Sequence, residues 1–253
     1  MDHPYTSPIV RKIWGKSDTV LLIFAGAAAE FALNKAVDWL YYTGKLPADP
    51  IERLFSTVEY AGNIIFSDEK RATAAIDSMR QIHNAVESSR GAKIPDWAYR
   101  DVLYMLIYYS VAAFELLERN LSKSEKEELA TVFLNVGRRM GIEQLPSDYD
   151  SWWSDYQLHL HADLHHSTFT DHLFAQYKKH LGTTRYFILK EAQKALVTNH
   201  VRKLLNFNKP AIIKTVIPFY KMARFSGADQ MIKSILLPAR FKERIYKLNR
   251  QHT

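Results

Sequence analysis

AYRDVLYMLIYYSVAAFELLERN, residues 98–120, predicts a helix that is buried on every side. From Val102 to Leu117 apolar residues occupy nearly every face, and a helix of that kind lies in the interior of a protein. No stretch of the sequence alternates apolar and polar residues over the length of a β-strand. The sequence therefore predicts an all-α fold, a single globular domain of about ten helices around this buried central helix.

The composition limits the number of domains and the cofactor chemistry. A chain of 253 residues buries roughly 70 to 75% of the surface that its unfolded form exposes, which is enough for one core. We expect an N-terminal arm over residues 1–17 and one helical domain over residues 18–253. The chain has no cysteine, which excludes disulfides, thiolate ligation of haem, iron–sulfur clusters and thiol nucleophiles.

Two features bear on location. Residues 1–18 lack the basic and then apolar pattern of a signal peptide. The longest apolar run, Val20 to Leu33, is interrupted by Glu30 and falls short of the ~20 residues that span a bilayer. We therefore expect a soluble, cytoplasmic protein.

A long helix is predicted from Ser17-Asp18 to about Gly44. Its middle, Ala25 to Ala29, is rich in alanine and permits the close approach of another helix or of a flat ligand. Tight helix packing is the favoured interpretation, because small side chains let two backbones come together.

Residues 49–91 predict two adjacent helices that place three polar residues around one site. In the first, Asp49 is a good N-cap before Pro50, and Arg53 and Thr57 lie one turn apart on the same face. In the second, Ser67 is the predicted cap, Gly91 the terminator, and His83 lies on the apolar stripe. From periodicity alone, a histidine in that position is more often a satisfied core residue than a ligand.

Five motifs follow one another along the chain. They are Arg53-x-x-x-Thr57; Ile82-His83-Asn84-Ala85-Val86; Phe114-Glu115 followed by Leu121-Ser122-Lys123-Ser124-Glu125; Met140-Gly141-Ile142 through Leu145-Pro146 to Tyr149 and Trp152; and Leu236-Leu237-Pro238 followed by Arg240. In this order and spacing they resemble the catalytic domain shared by latex-clearing proteins (rubber oxygenases) and MpaB oxygenases. The resemblance covers residues 18–248.

The resemblance implies a haem-b-dependent oxygenase that uses dioxygen and acts on a small hydrophobic, unsaturated substrate such as an isoprenoid or lipid. It makes His83 the proximal ligand of the haem iron, with Arg53 and Thr57 beside the haem. Tyr60, Met79 and Tyr104 are candidates for an apolar lining.

Two departures from the family pattern concern the haem surroundings. Many relatives carry a histidine in the middle of the central helix, where this chain has Leu103, Tyr104 and Met105. Latex-clearing members often carry a lysine just before the threonine, and this chain has Ser56 there. If haem binds, its sixth position is therefore open or held by water. A non-catalytic helical protein that binds haem or a lipid is the alternative.

Residues 147–182 are rich in histidine. On a helix, His161 and His165 would lie one turn apart and could bind one metal ion, with Asp155 or Asp163 as a further ligand. In that case the His159–His172 cluster would be the metal site of a non-haem enzyme. Partly exposed residues near a pocket mouth are the favoured interpretation. Asp171 and His172 form a candidate acid–base pair.

The basic excess of the chain lies in its C-terminal fifth. Residues 201–253 hold 12 Lys or Arg against Asp229 and Glu243, while the whole chain has a net charge of +7. The pattern of this segment predicts three or four amphipathic helices. Their basic residues would bind an anionic membrane surface peripherally, nucleic acid or haem propionates, or would only form a solvated basic face. We expect no nucleic-acid partner. The oligomeric state is left open.

Overall fold

Eleven α-helices make up the part of the chain that the computed structural model describes, residues 3–42, 44 and 48–225. They are α1 (Pro8–Trp14), α2 (Ser17–Phe31), α3 (Val37–Tyr42), α4 (Pro50–Ile65), α5 (Glu69–Arg90), α6 (Asp96–Leu117), α7 (Lys123–Met140), α8 (Tyr149–Asp163), α9 (Thr168–Leu196), α10 (Asn199–Leu204) and α11 (Ile213–Phe225). Within these ranges no strand forms, and the predicted all-α class is confirmed.

The predicted central helix is α6, and it packs against α2, α7, α8 and α9. Its buried side chains point in every direction, as the all-round apolar pattern predicts. The closest packing is with α2, where a Cβ added to Gly26 would overlap the ring of Tyr109 and lie 3.0 Å from its Cγ. The small residues of α2 therefore serve helix packing, which confirms the interpretation favoured from the sequence.

The N-terminal arm contains a short helix that is attached to the body. In α1 Ile9, Val10, Ile13 and Trp14 are all buried. The indole Nε1 of Trp14 donates a hydrogen bond to Ser110 Oγ on α6, at 3.1 Å. The division of the chain at residue 17 stays a prediction.

Local capping signals account for most of the helix ends. Asp49 accepts from the backbone N–H of Glu52 at 3.0 Å, and Ser122 and Glu125 form a complete capping box. Gly91 ends α5 at a positive φ of 71°, where glycine is favoured. The predicted cap of α5 is wrong by one residue, because Asp68 rather than Ser67 accepts from the first turn, from Arg71 N at 2.9 Å.

The predicted continuous helix from residue 18 to 44 is also wrong. The helix ends at Phe31, and α3 begins at Val37. Between them Asn34 accepts from the Ala36 N–H at 2.7 Å and forms an isolated bridge with Leu164. A short polar side chain that bonds to nearby backbone competes with the helical pattern, and here it interrupts the helix.

The last described helix, α11, is attached to the body by polar contacts. Arg224 pairs with Glu118 at 2.6 Å, and Tyr220 donates to Asp18 at 3.0 Å. The predicted Leu236–Arg240 motif and the rest of residues 226–253 lie outside the described residues. In the part of the chain that is described, no helix has the length and apolar character needed to cross a membrane.

Candidate functional site

The structure brings Arg53, Thr57 and His83 to one helix pair. Arg53 and Thr57 lie on α4 and His83 lies on α5, and the two helices pack along each other. Buried Ile64 and Ile76 join them in a small apolar cluster. The proximity predicted from the sequence is therefore present, although it tests no role for these residues.

The imidazole of His83 lies in an enclosed position without a hydrogen-bond partner. Its Nδ1 atom is buried, and neither ring nitrogen is bonded to any of the described residues. The ring of Tyr99 lies beside it, with centroids 5.1 Å apart. Burial lowers the pKa of His83, the charge of Arg53 lowers it further, and Glu87 acts in the opposite direction. At neutral pH this histidine is neutral and has a free nitrogen lone pair.

Arg53 is a half-buried cation that pairs with no anion among the described residues. Burial lowers its pKa, with Tyr60 acting in the opposite direction, and no carboxylate of a described residue lies within ion-pair distance. Thr57 and Ser56 donate their hydroxyl hydrogens to the carbonyl of Arg53, at 3.2 and 2.8 Å. Since a buried charge is costly without a partner, this position favours the binding of an anion.

These residues fit haem b in two respects. A haem offers iron to the unbonded nitrogen of His83, and its propionates offer carboxylates to the uncompensated guanidinium of Arg53. Of the predicted lining residues, Met79 packs at this helix pair. Tyr104 does not belong here, because it is fully buried on α6 and donates to Asp155 Oδ2 at 2.6 Å.

A separate apolar cavity of about 430 Å³ lies on the other face of α4. That face carries Leu54, Phe55 and Val58, while α2, α9 and the segment 212–220 form the remaining walls. A helix advances by 100° per residue, so Arg53 and Thr57 point away from this cavity. The volume is typical of a pocket for a small ligand.

A second polar group, which the sequence did not predict as a set, joins α6 to α8. His159 Nδ1 lies 2.6 Å from Asp101 Oδ1 and 3.2 Å from Asp163 Oδ2, and the three ligand atoms lie within 4.8 Å of one another. Asn34 donates to the other oxygen of Asp101 at 2.5 Å. The hydrogen bond that His159 donates to the Asp101 carboxylate raises the pKa of His159, although burial opposes it. Asp155 Oδ1 lies 3.9 Å from the Nε2 atom of His159.

Glu30 is a fully buried acid close to this group. Tyr109 and Tyr156 both donate to its Oε2 atom, at 2.8 and 2.7 Å. Burial raises its pKa to about 8, the two tyrosine hydrogen bonds act in the opposite direction, and Asp101 adds to the rise. At neutral pH Glu30 is mostly protonated, so the interior holds a proton at this carboxyl group.

The histidines singled out in the sequence do not converge. Because α8 ends at Asp163, His161 and His165 do not share a helical face; both are exposed, and the ring of His161 packs against His200 with centroids 4.2 Å apart. His172 contacts the Tyr41 hydroxyl at 2.8 Å, whereas Asp171 pairs with His166 at 2.9 Å.

The chain matches one protein family over most of its length. The family model is described as ER-bound oxygenase mpaB/B'/rubber oxygenase, catalytic domain, and it matches residues 12–228. The chain belongs to this family. No curated protein and no solved structure gives a significant match. Membership in this oxygenase family confirms the resemblance drawn from the motifs.

Proposed function

We propose that this chain is a haem-b-dependent oxygenase that acts on a hydrophobic, unsaturated substrate of the isoprenoid or lipid type. His83 would bind the iron, and Arg53 and Thr57 would lie beside the haem. The observation that carries the proposal is the pairing of an unbonded, neutral imidazole with a half-buried cation that has no anionic partner among the described residues, in a member of an oxygenase family.

The chemistry is divided between the cofactor and the protein. Haem b, when bound, supplies the iron at which dioxygen reacts with a carbon–carbon double bond. His83 contributes a lone pair that its lowered pKa keeps free of a proton. Arg53 offers a fixed positive charge to a propionate.

The first test is the absorption spectrum of freshly purified protein, with and without dithionite, together with a pyridine haemochrome assay. We expect about one haem b per chain and a Soret band that His83→Ala abolishes. A Soret band that persists in His83→Ala would contradict the assignment of the ligand.

The chain offers a matched control at His200. Its Nε2 atom is also buried without a partner, and burial also lowers its pKa, but Lys203 and His161 rather than Arg53 are its charged neighbours. His200→Ala should retain the Soret band at full intensity. If both variants lose haem equally, the loss reflects the fold and not a ligand.

Catalysis separates the oxygenase from its non-catalytic alternative. Haem-loaded protein that consumes dioxygen and forms carbonyl products from unsaturated isoprenoids or lipids is an oxygenase. Haem content with no dioxygen-dependent product would favour a haem- or lipid-binding protein.

A non-haem metal centre is a second candidate, and the Asp101–His159–Asp163 group favours it. Two carboxylates and one imidazole suit divalent iron, manganese or zinc. The ion would have to displace the proton that His159 shares with Asp101, so its binding should weaken as the pH falls.

Metal analysis of porphyrin-free protein tests this second candidate. His159→Gln should remove a stoichiometric metal, whereas the exposed pair His161→Ala and His165→Ala should retain it. If the metal were lost only from the His161→Ala/His165→Ala double variant, the metal site would lie at the histidines predicted from the sequence.

A further inference from the structure

The outward face of α11 carries a row of exposed apolar side chains. Val216, Phe219 and Met222 lie three residues apart and are 51%, 72% and 69% exposed, and Ile212 just before the helix is 58% exposed. The inner face is anchored by buried Ile217. A helix with one apolar face in the core and another in solvent has a second surface to cover.

The charge around this face is positive. Residues 201–225 carry six Lys or Arg and no Asp or Glu. Lys209 and Lys214 are exposed and pair with no carboxylate of the described residues. Two acids that contact α11, Glu118 and Asp18, are both already paired with Arg224. The surface beside the apolar row therefore attracts anions.

The apolar cavity opens beside the same face. Ile212 and Val216 belong both to the exposed row and to the cavity wall, and Phe187 on α9, 54% exposed, lines the cavity opposite them. The acids at its wall are already bonded, Asp18 by Tyr220 and Glu191 by the N–H of Ile212 at 2.6 Å. The cavity therefore suits an uncharged hydrocarbon group.

We propose that the exposed face of α11 docks on an anionic phospholipid bilayer and places the mouth of this cavity in the hydrocarbon layer. Apolar side chains flanked by lysines are the combination with which an interfacial helix binds such a surface. A hydrocarbon chain would then enter the cavity without crossing water. The inference stands on α11 and the cavity, and it holds whether or not His83 binds haem.

Charge favours a bilayer over a second copy of this chain. Two copies docked through α11 would bring two positive surfaces together, which is unfavourable, whereas anionic headgroups neutralise the same charges. Lys214 lies on the same short helix as Val216, Phe219 and Met222, and Lys209 lies just before it, so a flat surface can reach the apolar row and the lysines together.

Vesicle sedimentation with the full chain tests the docking surface. We expect binding to vesicles of phosphatidylcholine and phosphatidylserine in a two-to-one ratio, and much weaker binding to phosphatidylcholine alone. Phe219→Ser with Met222→Ser should weaken binding about tenfold or more, because both side chains leave the hydrocarbon layer. Lys214→Glu should weaken it at least about fivefold, and only on the anionic vesicles.

Matched controls exist elsewhere on the surface. Leu158 on α8 is 69% exposed, like Phe219 and Met222, and Leu158→Ser should leave binding unchanged. Exposed Lys93 is the control for the charge reversal. The proposal would be overturned if the wild-type chain did not bind the vesicles, or if the Phe219→Ser/Met222→Ser variant bound them equally well. It would also be overturned if the wild-type chain were a dimer that bound no vesicles and that this variant converted to a monomer.

Fluorescence quenching tests the orientation. Phe187→Trp introduces a tryptophan at the cavity mouth. Vesicles with brominated acyl chains should quench its fluorescence, measured as the difference in emission between this variant and the wild-type protein. Leu158→Trp should not be quenched. If both introduced tryptophans were quenched equally, or if vesicle-bound protein showed no quenching of either one, another surface would contact the bilayer.

Discussion

His83 and His159 have opposite surroundings, although both lie inside the same helical domain. His83 has no hydrogen-bond partner among the described residues, and the charge of Arg53 affects its pKa more strongly than the opposite charge of Glu87. His159 lies among carboxylates, at 2.6 Å from Asp101 and 3.2 Å from Asp163. The first imidazole has bonding capacity to offer to a ligand, whereas the second is already satisfied. We therefore expect the fold to depend on His159 more than on His83.

The largest expected difference is in stability. His159→Leu removes the imidazole that pairs with Oδ1 of the buried Asp101 carboxylate and leaves only the Asn34 amide on Oδ2, which should lower the free energy of unfolding by about 3 kcal/mol or more. His83→Leu removes a buried nitrogen that has no partner, so its effect should stay within about 1 kcal/mol of zero and can be stabilising. Urea denaturation of porphyrin-free protein near neutral pH measures both.

Exposed His161 provides the control for this comparison, because His161→Leu should change the free energy of unfolding by less than about 0.5 kcal/mol. Asp101→Asn alone and combined with His159→Leu gives the coupling energy of the pair. Equal losses for His83→Leu and His159→Leu would mean that His83 is a structural residue and would remove the contrast.

The next effect concerns Glu30, which lies in the same interior as His159. Its pKa is about 8 in the folded chain against 4.5 in the unfolded chain, so the folded state holds the extra proton between these values. Stability therefore falls as the pH rises from about 4.5 to 8, with a slope of at most about 1.4 kcal/mol per pH unit. Glu30→Gln keeps the shape, and its amide oxygen in place of Oε2 can accept from both tyrosines, but the amide does not titrate.

We expect Glu30→Gln to match the wild type near pH 4.5 and to exceed it by about 2 to 4 kcal/mol at pH 8. Urea titrations at several pH values measure the difference. Glu118→Gln is the control, since Lys16 and Arg224 overcome the effect of burial and lower the pKa of Glu118, so that variant should lose stability instead. Parallel pH curves for the wild type and Glu30→Gln would show that Glu30 is ionised in the folded state.

The two histidines should also respond to pH with opposite signs. The folded pKa of His159 is raised above 6.5, so its stabilisation is fully present below that pH and is lost as the pH rises through the folded value. The folded pKa of His83 is lowered below 6.5, so stability is lost as the pH falls below 6.5. The difference between wild type and His83→Leu should therefore change only on the acid side, by about 1 kcal/mol per pH unit at most.

The parts of the structure that were predicted correctly are those decided within a few residues. Asp49 before Pro50, the Ser122–Glu125 box and Gly91 act on one helical turn, and each is readable from neighbouring residues. The buried helix α6 was also predicted, because a pattern that is apolar all round depends on the helix itself.

The parts that were missed depend on residues far apart in the sequence. Asn34, where the predicted helix is interrupted, also contacts Asp101, 67 residues away, and Leu164. His159 and Asp163 are four apart on α8, but their third partner comes from α6. One signal was present, since Glu30 is a single acid inside the apolar run from Val20 to Leu33, and such an acid requires partners in the core.

The smallest predicted effect on stability sharpens the assignment at the other histidine. Thr57 and Ser56 both donate to the carbonyl of Arg53, so Thr57→Val and Ser56→Ala remove equivalent bonds and should each change the free energy of unfolding by about 0.5 kcal/mol or less. Of these two hydroxyl residues, only Thr57 is proposed to lie beside the haem. In haem-loaded protein Thr57→Val should therefore shift the Soret band or slow dioxygen consumption, while Ser56→Ala leaves both unchanged. If the two variants have the same spectrum and rate as the wild type, Thr57 only stabilises α4, and the proposed site reduces to Arg53 and His83.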